Sequence, residues 1–421
     1  MTQRKSLCAA AVALALASGS AFATNGYFAH GYGTKNKGMA GAGVALPQDA
    51  MTAATNPAGM VAVGDRLDVG AELFAPIRSY RAGAAGPSPL NAVPTTGDVD
   101  SDQELFLIPH FAYNKMLDAS TSVGIAVYGN GGMNTDYPVS SANFGMGTFG
   151  AGQTGVDLMQ LFIAPTFAKK MNDKVSVGVS AIIAYQRFEA YGISAFNAYS
   201  STGNTGSNTG YDDSFGLGAK IGILADVSDS VTLGASYQSR VYMQKFDKYK
   251  GLFAEQGDFD IPANFTIGVA FKANSDLTVT ADVQRILYSD IASIGNPISN
   301  LTVLGQPLGS DNGGGFGWKD MTIVKLGVQY QAMPDLTLRA GFSHGKQPIP
   351  SSEVMFNILA PAVVENHFTL GATKKLSKNS EFSVAAMYAP EKKVSGAPFG
   401  QNLEIKMHQF DLEASYGVNW N

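Results

Sequence analysis

From Leu67 onward the chain alternates apolar and polar side chains with a period of two. Leu67, Val69, Ala71 and Leu73 share one face while Asp68, Gly70 and Glu72 share the other. The pattern returns in Val175, Val177, Val179, Ala181, Ile183 and Tyr185 against Ser176, Gly178 and Ser180. It returns again in Val231, Leu233, Ala235 and Tyr237 against Thr232, Gly234 and Ser236. Alternate side chains of a strand point to opposite faces, so this period predicts two-sided β-strands. Between them short turns such as Leu117 to Ser120, Met171 to Asp173 and Met333 to Asp335 take turns with long Gly/Ser/Asn-rich connections. The strands are expected near 64–80, 102–117, 121–135, 156–171, 174–194, 211–228, 229–247, 258–272, 277–292, 318–332, 335–347, 363–376, 380–394 and 403–420.

One stretch breaks the pattern. Residues 24–63 carry Gly26, Gly31, Gly33, Gly38, Gly41, Gly43 and Gly59 among small residues, with neither strand nor helix periodicity. Such a segment cannot bury a core of its own. Placed before a large sheet, it reads as a plug in the lumen of a barrel.

Composition decides between a soluble sheet and a membrane one. Apolar residues make up 45% of the chain and charged residues 15%, yet beyond residue 23 there is no run of the roughly eighteen apolar residues that a spanning helix needs. Residues 1–23 supply Arg4 and Lys5, an apolar run from Leu7 to Ala17, and the small residues Ala21 and Ala23 around Phe22, the plan of a cleaved secretory signal. The single cysteine, Cys8, lies inside that leader, which excludes disulfides and thiolate metal sites from the remainder. An exported, apolar-rich chain without spanning helices hides its apolar surface by turning one face of each strand to lipid. A sandwich or propeller would alternate too. The alternation of short turns with long loops and the aromatic-ended last strand favour the membrane barrel. The expected architecture is therefore all-β: a transmembrane antiparallel barrel of about fourteen strands spanning 64–421, with the N-terminal hatch of 24–63 in its lumen. In the last strand Phe410, Leu412, Ala414, Tyr416, Val418 and Trp420 suit lipid, whereas Leu403, Ile405 and Met407 fall in the opposite phase, which predicts a bulge near His408 and Gln409.

The formal charge of −5, two units more negative once Arg4 and Lys5 are removed, argues against nucleic acid as a partner. The histidines His30, His110, His344, His367 and His408 show no metal-ligand spacing. Gly33 and Gly38 have phosphate-loop spacing, but Met39 stands where that loop needs lysine. No metal, cofactor or catalytic residue is assigned. An outer-membrane lipase stays open as a distant alternative, because barrel enzymes assemble their triads across strands.

The run Asn25-Gly26-Tyr27-Phe28-Ala29-His30-Gly31-Tyr32-Gly33, followed by Gly38-Met39-Ala40-Gly41-Ala42-Gly43 and Thr55-Asn56-Pro57-Ala58-Gly59-Met60, closely resembles the hatch of the FadL/TodX family of outer-membrane channels. The likeness extends over the whole chain after the leader. It implies passive uptake of long-chain fatty acids, with neutral aromatic or alkane hydrocarbons as the alternative cargo. It also implies a monomer in the outer membrane of a Gram-negative bacterium, with membrane lipid and the barrel assembly machinery as partners. Asn56, Pro57 and Gly59 are the hatch motif. Lys319, in Gly317-Trp318-Lys319-Asp320, and Arg187, in Gln186-Arg187-Phe188, look like the cations of the family's internal site, with Tyr27 and Phe28 beside them. A carboxylate in a partly dry lumen needs such pairing; the other reading is that both cations balance lumen carboxylates such as Asp282 and Glu413. Gly129, Asn130, Gly131 and Gly132 interrupt the third strand where the family has a lateral opening, unless the loop simply begins early there. Leu252, Phe253, Leu301 and Val303 are expected in external loops that capture the ligand, or else as packing residues of a loop cap, because the loop from Ala195 to Gly210 is polar. The chain ends in Asn421, one place beyond Trp420, a departure from an aromatic-ended strand.

Overall fold

The computed structural model describes residues 25–86, 88–90, 92–139, 141 and 145–420. The expected leader, with Arg4, Lys5 and Cys8, lies outside them, as do Thr24 and Asn421. Fourteen long antiparallel strands form one closed sheet. They are β1 Arg66–Ala82, β2 Phe106–Met116, β3 Thr121–Tyr137, β4 Thr154–Lys170, β5 Val175–Tyr191, β6 Asp212–Ser228, β7 Val231–Gln238, β8 Asn264–Lys272, β9 Leu277–Ile286, β10 Met321–Met333, β11 Leu336–Gly345, β12 Asn366–Lys375, β13 Ser380–Gly396 and β14 Leu403–Asn419. Each pairs with its sequence neighbour, and β14 returns to β1 from Arg66↔Asn419 to Ala82↔Leu403, so the ring has no free edge. Two short strands patch the rim: Gly97–Asp100 on β1 and Tyr242–Met243 on β6. No helix among the described residues is long and apolar enough to cross a membrane.

Two predicted strands overran their true ends for identifiable reasons. Pro262, which has no N–H to donate, precedes the start of β8 at Asn264. Beyond Ile286 the chain leaves the wall in a short 3₁₀ turn, Tyr288–Asp290, that turns Tyr288 into the interior. The expected bulge in β14 is a third difference. β14 pairs with β1 without a shift; the irregularity lies in β13, between Ala389 and Lys392. Leu403, Ile405 and Met407 are buried on the same inward face as Gln409, Asp411 and Glu413. What changes along β14 is the content of the lumen, apolar toward the loops and charged below, while the strand keeps its phase.

The charged lower lumen holds residues 25–64. They form two single-turn helices, Thr34–Lys37 and Thr52–Thr55, and a 3₁₀ helix, Pro57–Ala62. Lacking a ladder, this segment takes hydrogen bonds from inward-facing side chains, because a buried polar backbone group left unpaired costs about 1–3 kcal/mol. Asp282 on β9 accepts from the N–H groups of Gly43 and Val44 at 2.8 and 2.9 Å. Asp68 on β1 accepts from Ala50 N–H at 2.9 Å, and Asn114 on β2 donates to the Met60 carbonyl at 2.8 Å. Lys37 bridges Glu72 and Glu413, and Lys35 meets Glu381 at 2.5 Å.

Elsewhere the wall makes room by having no side chain at all. A Cβ on Gly178 would lie 2.3 Å from the Pro57 carbonyl carbon, one on Gly234 2.4 Å from the Val44 oxygen, and one on Gly341 2.2 Å from the Met39 carbonyl carbon. Gly371 and Gly38 pack backbone to backbone, the Cβ of either falling 3.0 to 3.1 Å from the other's Cα. Overpacking such a contact costs about 1–3 kcal/mol. Gly341→Val is expected to lose that much in urea unfolding from detergent, whereas Ala340→Val on the exposed face of the same strand is expected to be neutral; equal losses would contradict the placement of the segment.

Candidate functional site

Four long loops, 192–211, 239–263, 287–320 and 346–365, fold over the outer end of the lumen and brace one another through their backbones. Ser201 N–H donates to Leu308 O at 2.8 Å, Leu308 N–H to Tyr199 O at 2.9 Å and Lys319 N–H to Pro348 O at 2.9 Å. Beneath them lies a cavity of about 50 Å³ lined by Phe188 from β5, by Ile193, Phe196, Leu252, Phe253 and Leu308, and by Phe316, Phe356 and Leu359. Its polar side chain, Ser293, is committed: the Oγ donates to the Asp258 carbonyl at 2.5 Å. Aromatic edges pack the wall, Phe188 lying 4.8 Å from Phe253 and Phe196 5.6 Å from Phe356.

Rings continue inward from the cavity. Phe253 stands 4.8 Å from Phe259, Phe259 6.3 Å from Tyr27, and Tyr27 5.9 Å from Trp318, which in turn lies 6.2 Å from Phe316 at the cavity wall. Trp318 is fully buried and its indole N–H is held by Asn357 Oδ1 at 2.5 Å. Tyr288 closes the group. Its hydroxyl donates to Asn25 O at 2.5 Å and accepts from the N–H groups of Tyr27 and Phe28 at 3.2 and 3.3 Å.

The N-terminal end of the lumen segment reaches the wall at β3. β2 and β3 pair only from Met116↔Ser122 to Phe111↔Val127, and above that β3 runs on without β2. Contact resumes higher up, where Asp102 N–H donates to Asp136 O at 2.8 Å. The window between is lined by Gly129–Gly132, and the β3–β4 ladder slips between Gly129 and Gly131. Residues 27–29 back it from inside: Ala29 N–H donates to Asn130 O at 3.1 Å, Gly132 N–H to Tyr27 O at 3.0 Å, and Phe28 bridges Gly131. A Cβ on Gly131 would fall 2.1 Å from Tyr27 O, so only glycine lets the segment dock there.

Tyr27, Phe28 and Gly129–Gly132 are thus brought together. Asn56 and Pro57 sit three strands along the ring from the window, toward the short-turn end, where Asn56 Nδ2 donates to Ile223 O of β6 at 3.0 Å and its Oδ1 accepts from Ala58 N–H. Gly59 packs against Thr52 and Pro47. The loop residues divide: Leu252 and Phe253 line the cavity, Leu301 is buried beside Gly314, and Val303 is 76% exposed. The loop expected to be polar contributes Phe196, which with Tyr199 is one of two aromatics inside a Gly/Ser/Asn context.

The two cations lie apart from the cavity. Arg187 shares the outward parity of Ile183 and Tyr185, with its guanidinium 4.3 Å over the Tyr211 ring, while its neighbours Gln186 and Phe188 point inward. Lys319 is exposed in a separate outer groove. Among the described residues the cavity lining carries no charged side chain. Behind Ser293, Asp258 and Asp260 flank Arg240 at 3.5 and 2.5 Å, and burial, reinforced by Asp260, pushes the Asp258 carboxyl up to about 6.

Tyr288 and Phe259 escape a sequence reading, since each sits in a loop where periodicity carries no signal; Trp318 and Phe188 were visible only as neighbours of Lys319 and Arg187. Tyr288 is the acceptor that holds the segment against the window. Tyr288→Phe is expected to raise amide exchange at Tyr27 and Phe28 about tenfold or more, the loss of a 1–3 kcal/mol hydrogen bond, with the β-strands unchanged. Unchanged exchange would remove Tyr288 from that role.

The same architecture occurs in solved outer-membrane channels. The Pseudomonas putida toluene transporter TodX superposes with a TM-score of 0.69 over 93% of this chain and 99% of its own, at 17% identity. A Pseudomonas aeruginosa FadL homologue gives 0.69 over 94% and 100%, at 16% identity, and the Ralstonia pickettii toluene transporter TbuX 0.66 over 93% and 99%, at 17% identity. No curated protein matches the chain in sequence. Residues 14–418 match the family described as outer membrane protein transport protein (OMPP1/FadL/TodX). The chain belongs to this family of outer-membrane transport proteins.

Proposed function

We propose that the protein is a passive channel for the uptake of small hydrophobic molecules and that its cargo is a neutral hydrocarbon. The observation that carries this reading is the cavity lining: aromatic and aliphatic side chains, one committed serine and, among the described residues, no charged group, the nearby Arg240 being already held by Asp258 and Asp260. An apolar ligand gains about 25 cal/mol for each Å² it removes from water there. A carboxylate would enter with no lining cation to pair it, since Arg240 is already engaged, which is costly. That two of the similar structures are toluene transporters agrees with a neutral ligand.

The route follows the rings. A molecule caught by the loops enters the cavity, passes along Phe253, Phe259 and Tyr27, and leaves sideways through the window at Gly129–Gly132 when residues 25–29 move aside. Lipid is where it is stable, and the remaining segment, anchored at Asn56 and by the Lys37 and Lys35 ion pairs, acts as the hatch that stops water and small solutes. No covalent chemistry is needed, and one barrel suffices.

Uptake of labelled toluene and labelled palmitate by cells carrying the protein tests the assignment. Toluene uptake is expected to exceed that of a strain without the protein, to change by less than about twofold in Lys319→Ala, and to fall about tenfold or more in Phe188→Asp, which puts a charge on the cavity wall. Palmitate uptake that depends on Lys319, with no toluene uptake, would transfer the assignment to long-chain fatty acids.

A further inference from the structure

β12 and β13 part company near the outer rim. Their ladder ends at Phe368↔Tyr388, yet β13 continues to Gly396 against β14 alone. The notch left beside β13 is a groove of about 620 Å³. Ile349 and Val394, both buried, and Pro348 and Pro350 form an apolar floor. Lys319, Lys346, Lys392 and Lys393 stand around it. Lys406 lies directly across the ladder from Lys393, whose charge Glu404 already takes up.

Most acids nearby are already engaged. Asp320 holds Arg285 at 3.0 Å, Glu365 holds Lys392 at 2.6 Å, and Glu404 holds Lys393 at 3.2 Å. Among the described residues Lys319, Lys346 and Lys406 have no ion-pair partner.

The height of the groove identifies its surroundings. Tyr388 and Phe410 stack at 4.9 Å on the lipid-facing surface, and at the other end of β14 Trp420 meets Tyr113 at 6.2 Å. These pairs mark the two interfaces where aromatic rings gather, separated by roughly ten residues of tilted strand, about the 25 Å of a barrel's apolar band. Lys406 lies four residues beyond Phe410, or about 13 Å along the strand, within the layer of outer-leaflet head groups. Leu370, 68% exposed on β12 below the notch, offers an apolar track toward the bilayer.

We infer that this groove binds a phosphorylated glycolipid of the outer leaflet, its phosphates between Lys319, Lys346 and Lys406 and an acyl chain descending past Phe368 and Leu370. A phosphate monoester carries about −1.5 to −2 charges near neutral pH, which suits three unpaired ammonium groups better than the single charge of a carboxylate. The site shares no residue with the apolar cavity, so it stands or falls independently of the transported ligand.

The test is a binding titration of the purified full-length protein in nanodiscs, read by native mass spectrometry, with diphosphorylated lipid A and its dephosphorylated form. The unaltered protein is expected to prefer the phosphorylated form by about tenfold or more. Lys319→Gln, Lys346→Gln and Lys406→Gln together are expected to abolish the preference, while Lys169→Gln, Lys170→Gln and Lys174→Gln at the other rim leave it intact. Equal binding of the two forms by the unaltered protein, which requires no variant, would overturn the proposal. So would a preference that survives the groove substitutions, or displacement of lipid A by palmitate at equal concentration.

Discussion

The structure depends on satisfying a backbone that has no ladder. A barrel wall pairs its own N–H and C=O groups, but residues 25–64 lie inside it with almost no regular secondary structure, and every buried polar group they bring needs a partner. The wall answers with two kinds of inward position: side chains that reach in, such as Asp68, Asn114, Asp282 and Glu413, and glycines that step back, such as Gly178, Gly234 and Gly341. The inward charges of a chain that is only 15% charged are thereby concentrated in the lower lumen. The upper lumen is mostly apolar, its buried Arg78 and Glu353 engaged by backbone groups, and the loops close over it.

This division gives the proposed route its direction. Below, the segment is held by ion pairs and side-chain hydrogen bonds that no apolar molecule can replace. At its N-terminal end the grip is of another kind: a few backbone bonds to β3, a tyrosine hydroxyl and packed rings, beside a place where the wall's ladder lapses. Local opening takes place where few bonds must be broken, so residues 25–29 are the part of the segment suited to yield. A ligand arriving among Phe253, Phe259 and Tyr27 competes for the contacts that keep them seated, which is the differential affinity a ligand-driven opening requires.

Much of this was legible in the sequence because the strand period is insensitive to what a strand faces. Alternation located the strands, and the aperiodic glycines of 24–63 marked the segment that needed housing. The same alternation misled at Leu403, Ile405 and Met407, where an apolar stretch of lumen looked like a change of phase. Arg187 and Lys319 illustrate the limit. Arg187 takes the outward parity, and Lys319 lies beyond the start of β10, where no register constrains it, so neither reaches the cavity; the residues that do, such as Phe196, Phe253 and Phe316, converge from loops whose fold is set by tertiary contact. The interruption of the ladder at Gly129–Gly132 was legible, because a run of residues that pack poorly in a ladder is a local property.

The central claim is that cargo leaves through the window only when residues 25–29 release it. Ala29 and Asn130 stand opposite one another beside the Phe28–Gly131 bridge, Ala29 N–H donating to Asn130 O at 3.1 Å, within reach of a disulfide at positions that do not require glycine. Cys8 is the chain's single cysteine, so in a Cys8→Ser background the pair Ala29→Cys and Asn130→Cys makes a reversible tether. Uptake of labelled hydrocarbon by cells carrying the doubly substituted protein is predicted to stop under oxidation and to return on reduction, with each single substitution indifferent to redox state. Uptake that continues through the oxidised, cross-linked protein would contradict lateral release.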